Sequence, residues 1–192
     1  MLGVKLMKFT YETDRLILRV LDSSWAPQVL DFYQNNPDFA RVEPTTDNFY
    51  TLHFHETVLR YEYELTLKMS MLRLWIFSKD DPAKIIGTVS FRNITRSFFG
   101  SCEVGYKMDH EFRNQGYCQE ALSRGFEVMF SELNLHRIEA IVLPSNLASI
   151  HLLEKLGFKR EGVKRQCVKL QGEWRDHYLY SLLSSESHPA RP

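Results

Sequence analysis

The chain has 192 residues, of which 44% are hydrophobic and 25% are charged. This is an ordinary globular composition and argues against global disorder. Lysine plus arginine (24) balances aspartate plus glutamate (24), which removes the electrostatic argument for a nucleic-acid partner. No apolar run approaches the roughly 20 residues that span a bilayer, and no signal peptide is recognisable. We therefore expect a cytoplasmic protein with no nucleic-acid or membrane partner.

The first half of the chain predicts strands and helices in mixed order. A β-type run at 15–20 is followed by polar residues that favour a helix over about 25–34, and Asp47 is a candidate cap for a second, longer helix. Apolar and polar residues then alternate with period two, which predicts three strands. These strands cover 72–77, 84–94 and 102–108.

The second half returns to a helical period at Gly116, with apolar residues on one face as far as Leu133. A strand over 136–143, a short helix capped by Asn146 and a final hairpin follow. We expect a single α/β (α+β) domain over 1–183, with a disordered tail over 184–192. Its central sheet is mixed but mostly antiparallel, with about seven strands flanked by about four helices.

The segment between the third predicted strand and the long helix is the most informative for chemistry. The first N–H groups of a helix lack partners within the helix, and the macrodipole makes this end positive, which suits a phosphate. Gly116 lets the backbone approach closely because it has no Cβ, and Arg113 can add a charged contact. A plain strand–loop–helix turn eased by Gly116 explains the segment about as well.

The pattern Arg113-x-x-Gly116-x-Cys118 resembles the Arg/Gln-x-x-Gly-x-Gly/Ala signature of the GNAT superfamily of acyl-CoA-dependent N-acetyltransferases. Three other parts look like family segments in the family's order. Residues 13–19 resemble the opening strand of the ribosomal-protein N-terminal acetyltransferase branch, 86–87 and 103–106 resemble central strands, and 146–158 resemble the last motif. The resemblance covers about residues 13–183 and implies a GNAT fold, acetyl-CoA as cosubstrate and no metal.

The resemblance also implies which residues bind the coenzyme. The loop before the long helix would hold the pyrophosphate of coenzyme A through backbone amides, and Asn146 would contact the pantetheine arm or the loop near the thioester. For Asn146, the plain alternative is a helix cap. The implied coenzyme-binding residues are Tyr106, Met108, Arg113, Asn114, Gln115, Gly116, Tyr117, Cys118, Asn146 and Ser149.

The family reaction is direct attack of an amine on the thioester in a ternary complex. It needs a free amine, a stabilised oxyanion and a proton for the leaving thiolate. Glu103 is the candidate base, although a strand glutamate paired with a Lys or Arg, or one that only orients the amine, is the alternative. Ser149 is the candidate acid because Leu153 occupies the position where many GNAT enzymes have tyrosine; a serine that satisfies a backbone group is the alternative. We expect the oxyanion donor to be a backbone N–H near Tyr106 or Met108.

The cysteines and histidines predict no metal site. The three cysteines are far apart, and His53 and His55 are two residues apart, which does not place them on one helix face. Cys118 lies at the start of a predicted helix, where the pKa of a thiol falls. We therefore expect an oxidisable thiol that bound coenzyme A would protect.

The predicted function is acetyl transfer to the N-terminal α-amine of a protein such as a ribosomal protein, at alanine or serine. One alternative keeps the chemistry but uses a small amine such as a polyamine or an aminoglycoside. Another is a non-catalytic acyl-CoA-binding sensor. Homodimers are common among proteins of this kind, so a homodimer is an expected assembly.

Overall fold

The computed structural model describes residues 7–44 and 46–187. Within these residues the chain forms eight strands and four α-helices. The strands are β1 (Thr10–Glu12), β2 (Leu16–Arg19), β3 (Leu72–Ser78), β4 (Ile85–Thr95), β5 (Ser101–Met108), β6 (Arg137–Val142), β7 (Lys159–Leu170) and β8 (Glu173–Leu183). The helices are α1 (Ala26–Gln34), α2 (Leu52–Leu67), α3 (Tyr117–Glu127) and α4 (Leu147–Lys155).

The strands form one sheet in the order β1-β2-β3-β4-β5-β6-β8-β7. All neighbours are antiparallel except β5 and β6, which run parallel. The predicted fold class is therefore confirmed, with one strand more than expected. The extra strand, β1, has only three residues, which is too short for an alternating pattern to reveal; it is defined by its pairing with β2.

One predicted helix start was wrong, and the long helix has its predicted extent but changes its winding. Helix α2 is capped by Thr51 and not by Asp47: the Thr51 side chain accepts a hydrogen bond from the Phe54 N–H, while residues 47–50 form a turn. The long helix that begins after Gly116 is α-helical only to Glu127, and Val128–Glu132 continue it as one π-helical stretch. Apolar spacing does not distinguish a π-turn from an α-turn, because both keep the same face buried.

Alternation along the central strands divides the interior into two cores. In β3, Leu72, Leu74 and Ile76 point toward α3 and α4, while Trp75 and Phe77 point toward α1 and α2. All five side chains are buried. A strand that is apolar on both faces belongs in the middle of a sheet covered by helices on both sides. Burial of both faces thus fixes β3, and with it the neighbouring β4 and β5, between the two layers.

The parallel ladder between β5 and β6 is short, and this shapes the functional part of the molecule. It contains three residue pairs, from Ser101–Arg137 to Glu103–Glu139. Beyond them β5 stays paired with β4 and β6 stays paired with β8. The two strands separate from residue 104 onward, so the sheet is split on one side of its middle.

After β8 the chain forms a turn at 184–186 that packs against the sheet. The Ser184 N–H donates to the His136 C=O at 2.9 Å, and Glu186 forms an ion pair with Lys159. The rest of the predicted tail, 188–192, lies outside the described residues. Among the residues that the structure describes, no helix is long and apolar enough to cross a membrane.

Candidate active site

A cleft of about 540 Å³ opens where β5 and β6 separate. Its walls come from β5, β6 and the start of α4, and from the β7–β8 hairpin on the other side. Of the predicted site residues, the cleft is lined by Glu103, Tyr106, Asn146 and Ser149. The structure therefore brings together residues from two segments more than forty positions apart in the chain.

The separated edge of β5 presents backbone groups to the cleft. The Asp109 N–H donates to the Ile86 C=O at 2.9 Å, and hydrogen-bonded and non-hydrogen-bonded pairs alternate along an antiparallel ladder. The amides of Tyr106 and Met108 therefore turn away from β4 and toward the side where β6 is absent. In agreement, the Met108 C=O accepts a hydrogen bond from Arg113 Nε at 3.1 Å and not from β4.

Glu103 stands at the point where the two strands part. Its side chain is half-buried and lines the cleft, and Oε1 accepts a hydrogen bond from Asn93 Nδ2 at 3.2 Å. In register it lies opposite Arg92 on β4 and Glu139 on β6. Among the described residues no lysine or arginine nitrogen lies within 4.0 Å of its carboxylate. The carboxylate is thus held by an amide and is not neutralised by an ion pair.

Asn146, Ser149 and Tyr106 form a connected polar group where the start of α4 meets β5. The Asn146 side chain caps α4 by accepting from the Ser149 N–H at 3.2 Å. The Ser149 hydroxyl lies 2.7 Å from the Tyr106 hydroxyl. Burial raises the pKa of Tyr106, so the phenol stays protonated near neutral pH. The cap and the hydroxyl pair fix the first turn of α4 against β5.

The loop before α3 has the backbone that its glycine predicts. Gly116 is the N-cap of α3 with φ of +82°, and Asn114 is also left-handed with φ of +61°. Both conformations suit Gly and Asn better than other residues. The loop continues directly from β5, and the side chain of Gln115 donates to the Glu111 C=O at 2.8 Å. The first turn of α3 therefore follows the end of β5 that has separated from β6.

Arg15, directly before β2, contacts this loop from a distant part of the chain, and no local pattern in the sequence points to it. Its NH1 donates to the Gln115 C=O at 3.1 Å and its NH2 lies 2.7 Å from Glu120. The guanidinium also stacks 4.4 Å from the centre of the Tyr117 ring. Burial opposes ionisation of Glu120, yet hydrogen bonds from Thr13 and Arg15 hold the pKa of its carboxyl below the usual value. Arg15 thus neutralises the Glu120 carboxylate in the first turn of α3.

Arg113 is held by contacts within the protein. Its NH1 is 2.8 Å from an Asp38 carboxylate oxygen, and the guanidinium lies 5.8 Å from the Phe39 ring centre. Together with the bond to Met108, these contacts tie the loop to the end of β5 and to the segment after α1. Its part in coenzyme binding stays a prediction.

The expectation of a low thiol pKa at Cys118 was wrong. Cys118 is half-buried and packs against the larger core, and burial raises the pKa of its thiol to about 12. Desolvation of the thiolate outweighs the favourable helix terminus. The histidines also separate as the spacing indicated, with His55 buried and His53 exposed. In the described part of the chain no group of three or more His, Cys, Asp or Glu side chains could hold a metal ion.

On the side of the sheet that faces α1 and α2, the cleft is lined by charged side chains. Lys107 lies 2.7 Å from Glu43, and Arg73 lies 3.0 Å from the buried Glu62. Burial raises the pKa of Glu62, although the charge of Arg73 opposes this. The charged residues that line the cleft are Glu43, Arg73, Arg92, Glu103 and Lys107, three basic and two acidic.

Comparison with known proteins gives the same assignment over almost the whole chain. Residues 15–159 match the family described as Acetyltransferase (GNAT) domain. The chain is 31% identical to the [ribosomal protein uS5]-alanine N-acetyltransferase of Escherichia coli over 96% of this chain and 95% of the relative. The structure of ribosomal-protein-S5-alanine acetyltransferase from Vibrio fischeri superposes with a TM-score of 0.85 at 32% identity, over 95% of this chain and 100% of that one.

A third comparison supports the fold alone. Mycobacterium smegmatis RimJ, solved in complex with CoA-disulfide, is 24% identical with a TM-score of 0.83, over 89% of this chain and 83% of that one. The family match covers well over half of the chain, and Gly116 and Asn146 begin α3 and α4 as the sequence predicted. This chain belongs to the GNAT family of N-acetyltransferases.

Proposed function

We propose that this N-acetyltransferase moves the acetyl group of acetyl-CoA to a primary amine by direct attack in a ternary complex. The proposed acceptor is the N-terminal α-amine of a protein such as a ribosomal protein. The observation that carries the proposal is the cleft between β5 and β6, which has the Glu103 carboxylate on one side and the Tyr106–Ser149 hydroxyl pair on the other. Glu103 is held by Asn93 and forms no ion pair with a described lysine or arginine. Relatives that acetylate alanine of ribosomal protein uS5 support the choice of acceptor.

The coenzyme site follows from the backbone that leads out of the cleft. The unpaired N–H groups of the first turn of α3, including those of Tyr117 and Cys118, would bind the pyrophosphate. Gly116 leaves room for it, while Arg15 offsets the charge of Glu120 beside it. The open edge of β5 and the capped start of α4 at Asn146 would hold the pantetheine arm, because both line the same cleft.

The proposed mechanism needs two proton transfers, one to Glu103 and one from Ser149. Glu103 takes a proton from the incoming ammonium, directly or through water, so that the amine nitrogen can attack the thioester carbon. Backbone N–H groups at Tyr106 and Met108 face the developing oxyanion. As the carbon–sulfur bond breaks, Ser149 donates a proton to the thiolate and recovers it from its surroundings. Tyr106, which stays protonated, supports the Ser149 hydroxyl through their 2.7 Å contact.

The test is a thiol-release assay combined with calorimetric titration of acetyl-CoA. We expect acetyl-CoA to bind and thiol to be released with peptides that begin with alanine or serine, and mass spectrometry should find the acetyl group on the α-amine. Release with polyamines or aminoglycosides alone would move the function to small amines. Binding without release from any acceptor would favour a sensor, and failure to bind acetyl-CoA would overturn the proposal.

A further inference from the structure

The β7–β8 hairpin carries a cysteine–histidine pair that the proposed chemistry does not use. Cys167 Sγ lies 3.6 Å from His177 Nδ1, within range of a hydrogen bond that involves sulfur. The same nitrogen lies 3.3 Å from the Arg175 C=O, so it accepts the thiol proton in the tautomer that carries its proton on Nε2. His177 is buried and lines the cleft, as does Val168, the residue next to the cysteine. The thiol is therefore separated from the cleft by a single imidazole ring.

An irregularity in the hairpin holds the cysteine in this position. Lys164 pairs with His177 and Val168 pairs with Arg175, so residues 165–167 of β7 stand opposite the single residue Asp176. Within this bulge Gln166 is left-handed with φ of +46°, and its N–H donates to an Asp176 carboxylate oxygen at 2.8 Å. Bulges redirect side chains and occur often beside active sites. Here the bulge turns the thiol toward the imidazole.

Cys167 differs from the other two cysteines of the chain. Cys102 is buried in the larger core, where burial raises its thiol pKa, and burial raises that of Cys118 to about 12. Both stay protonated near neutral pH, whereas the nucleophile in thiol chemistry is the thiolate. Cys167 is half-buried and outside both cores. Of the three cysteines, Cys167 is therefore the one placed away from the cores and beside an imidazole.

We propose that Cys167 is a thiolation site for small-molecule disulfides. His177 takes the thiol proton, and the Cys167 sulfur attacks one sulfur of the disulfide. The reagent's S–S bond breaks, a mixed disulfide forms on Cys167, and the released thiolate takes the proton from His177. The exchange balances without another oxidant. The attached group lies beside His177 and Val168, so it narrows the part of the cleft that the hairpin lines, where the acceptor amine would enter. This last consequence rests on the proposed function.

The adduct can be tested without knowledge of the acceptor. The folded protein is incubated with oxidised glutathione and, separately, with coenzyme A disulfide, and the adduct is followed by intact mass and located by peptide mapping. We expect one adduct on Cys167 that a reducing agent removes. Equal rates would indicate entry from solvent, whereas faster reaction with coenzyme A disulfide would indicate delivery through the cleft. Comparable labelling of Cys102 or Cys118, or none on Cys167, would overturn the proposal.

Variants separate the role of the pair from general accessibility. Cys167→Ser should abolish the adduct, and Cys118→Ser should retain it. His177→Gln should slow it about tenfold or more, because glutamine cannot take the thiol proton. A melting curve checks that the His177 variant folds, and the comparison of the three cysteines within the unmodified protein stands even if it does not. An unchanged rate in a folded His177→Gln protein would contradict the role of the imidazole.

A second readout tests the consequence for the cleft. In the thiol-release assay the adduct should raise KM for the acceptor peptide, while the acetyl-CoA Kd stays the same in calorimetry. If the adduct leaves KM for the acceptor peptide unchanged, the group attached to Cys167 does not narrow the cleft for the acceptor. If no acceptor is acetylated at all, the proposed function fails while the mass measurement still decides the thiolation site.

Discussion

The hydroxyl oxygen of Tyr106 lies 2.7 Å from that of Ser149, and this contact joins β5 to α4 across the cleft. Tyr106 also reaches the Ser149 backbone C=O at 3.3 Å. Burial raises the pKa of Tyr106, so the phenol remains a donor at neutral pH. When the phenol donates to the serine oxygen, the serine proton is free to face the leaving thiolate. In the proposed mechanism, Ser149 of α4 and Tyr106 of β5 together then take the role that a tyrosine at position 153 has in many GNAT enzymes.

This relationship predicts unequal effects of two substitutions. Ser149→Ala should lower kcat about 100-fold, because it removes the proton donor. Tyr106→Phe should lower kcat roughly tenfold, because it removes one supporting hydrogen bond. Single-turnover thiol release gives both values, and the exposed Ser145→Ala serves as control. Full activity of Ser149→Ala would identify water as the proton donor.

Glu103→Gln should lower kcat/KM by about 100-fold or more, because the amide cannot take a proton from the acceptor ammonium. The Kd of acetyl-CoA should stay unchanged. Glu139→Gln is a matched control, since Glu139 lies opposite Glu103 in the register and instead accepts a hydrogen bond from Arg137 at 2.8 Å. Near-normal turnover of Glu103→Gln, measured with calorimetry on the same sample, would remove Glu103 from the mechanism.

Two glycines with the same backbone conformation test the coenzyme loop. Gly116 and Gly172 have φ of +82° and +86°, so alanine at either should cost about 1 kcal/mol of unfolding free energy. A Cβ on Gly116 would also lie 3.3 Å from Arg15 NH2, whereas one on Gly172 meets nothing within 4 Å. Gly116→Ala alone should raise the acetyl-CoA Kd, about tenfold if it loses one backbone contact. Equal Kd values in both variants would place the coenzyme elsewhere.

His55 predicts a specific loss of stability in mild acid. Burial lowers its pKa from 6.5 to about 4, so between these values the unfolded chain binds a proton that the folded protein refuses. The free energy of unfolding should therefore fall as pH falls from 6.5 to 4, by on the order of 3 kcal/mol. Urea unfolding of wild type and His55→Phe across this range measures it. Phenylalanine keeps an aromatic ring at the position where His55 stacks on Tyr33, with the two ring centroids 5.2 Å apart in wild type.

The difference between the two pH curves reports on His55 alone, because the other groups with a lowered pKa contribute equally to the stability of wild type and of His55→Phe. Carboxyls with lowered pKa, such as Asp38 and Glu120, stabilise the fold above their unfolded pKa and lose this contribution as pH falls further. They add the same slope to wild type and variant. Parallel pH curves for the two proteins would show that His55 is protonated in the folded state.

Local patterns in the sequence were enough for much of this structure. Alternation identified β3, β4 and β5, because side chains on successive strand residues face opposite cores. Gly116 and Asn146 marked the starts of α3 and α4, because each supplies a conformation or an acceptor that a helix terminus needs. Both properties depend on residues only a few positions apart.

The remaining features depend on contacts between distant segments. Arg15 meets Glu120 from 105 positions away, and Tyr106 meets Ser149 from 43. Neither pair has a local pattern, because each follows from which strands are neighbours and in which register. The thiol of Cys118 shows the same limit: the sequence places it at a helix terminus, but only tertiary packing removes the water that would stabilise its charge. Residue order determines local geometry, while burial and long-range pairing determine which side chains can react.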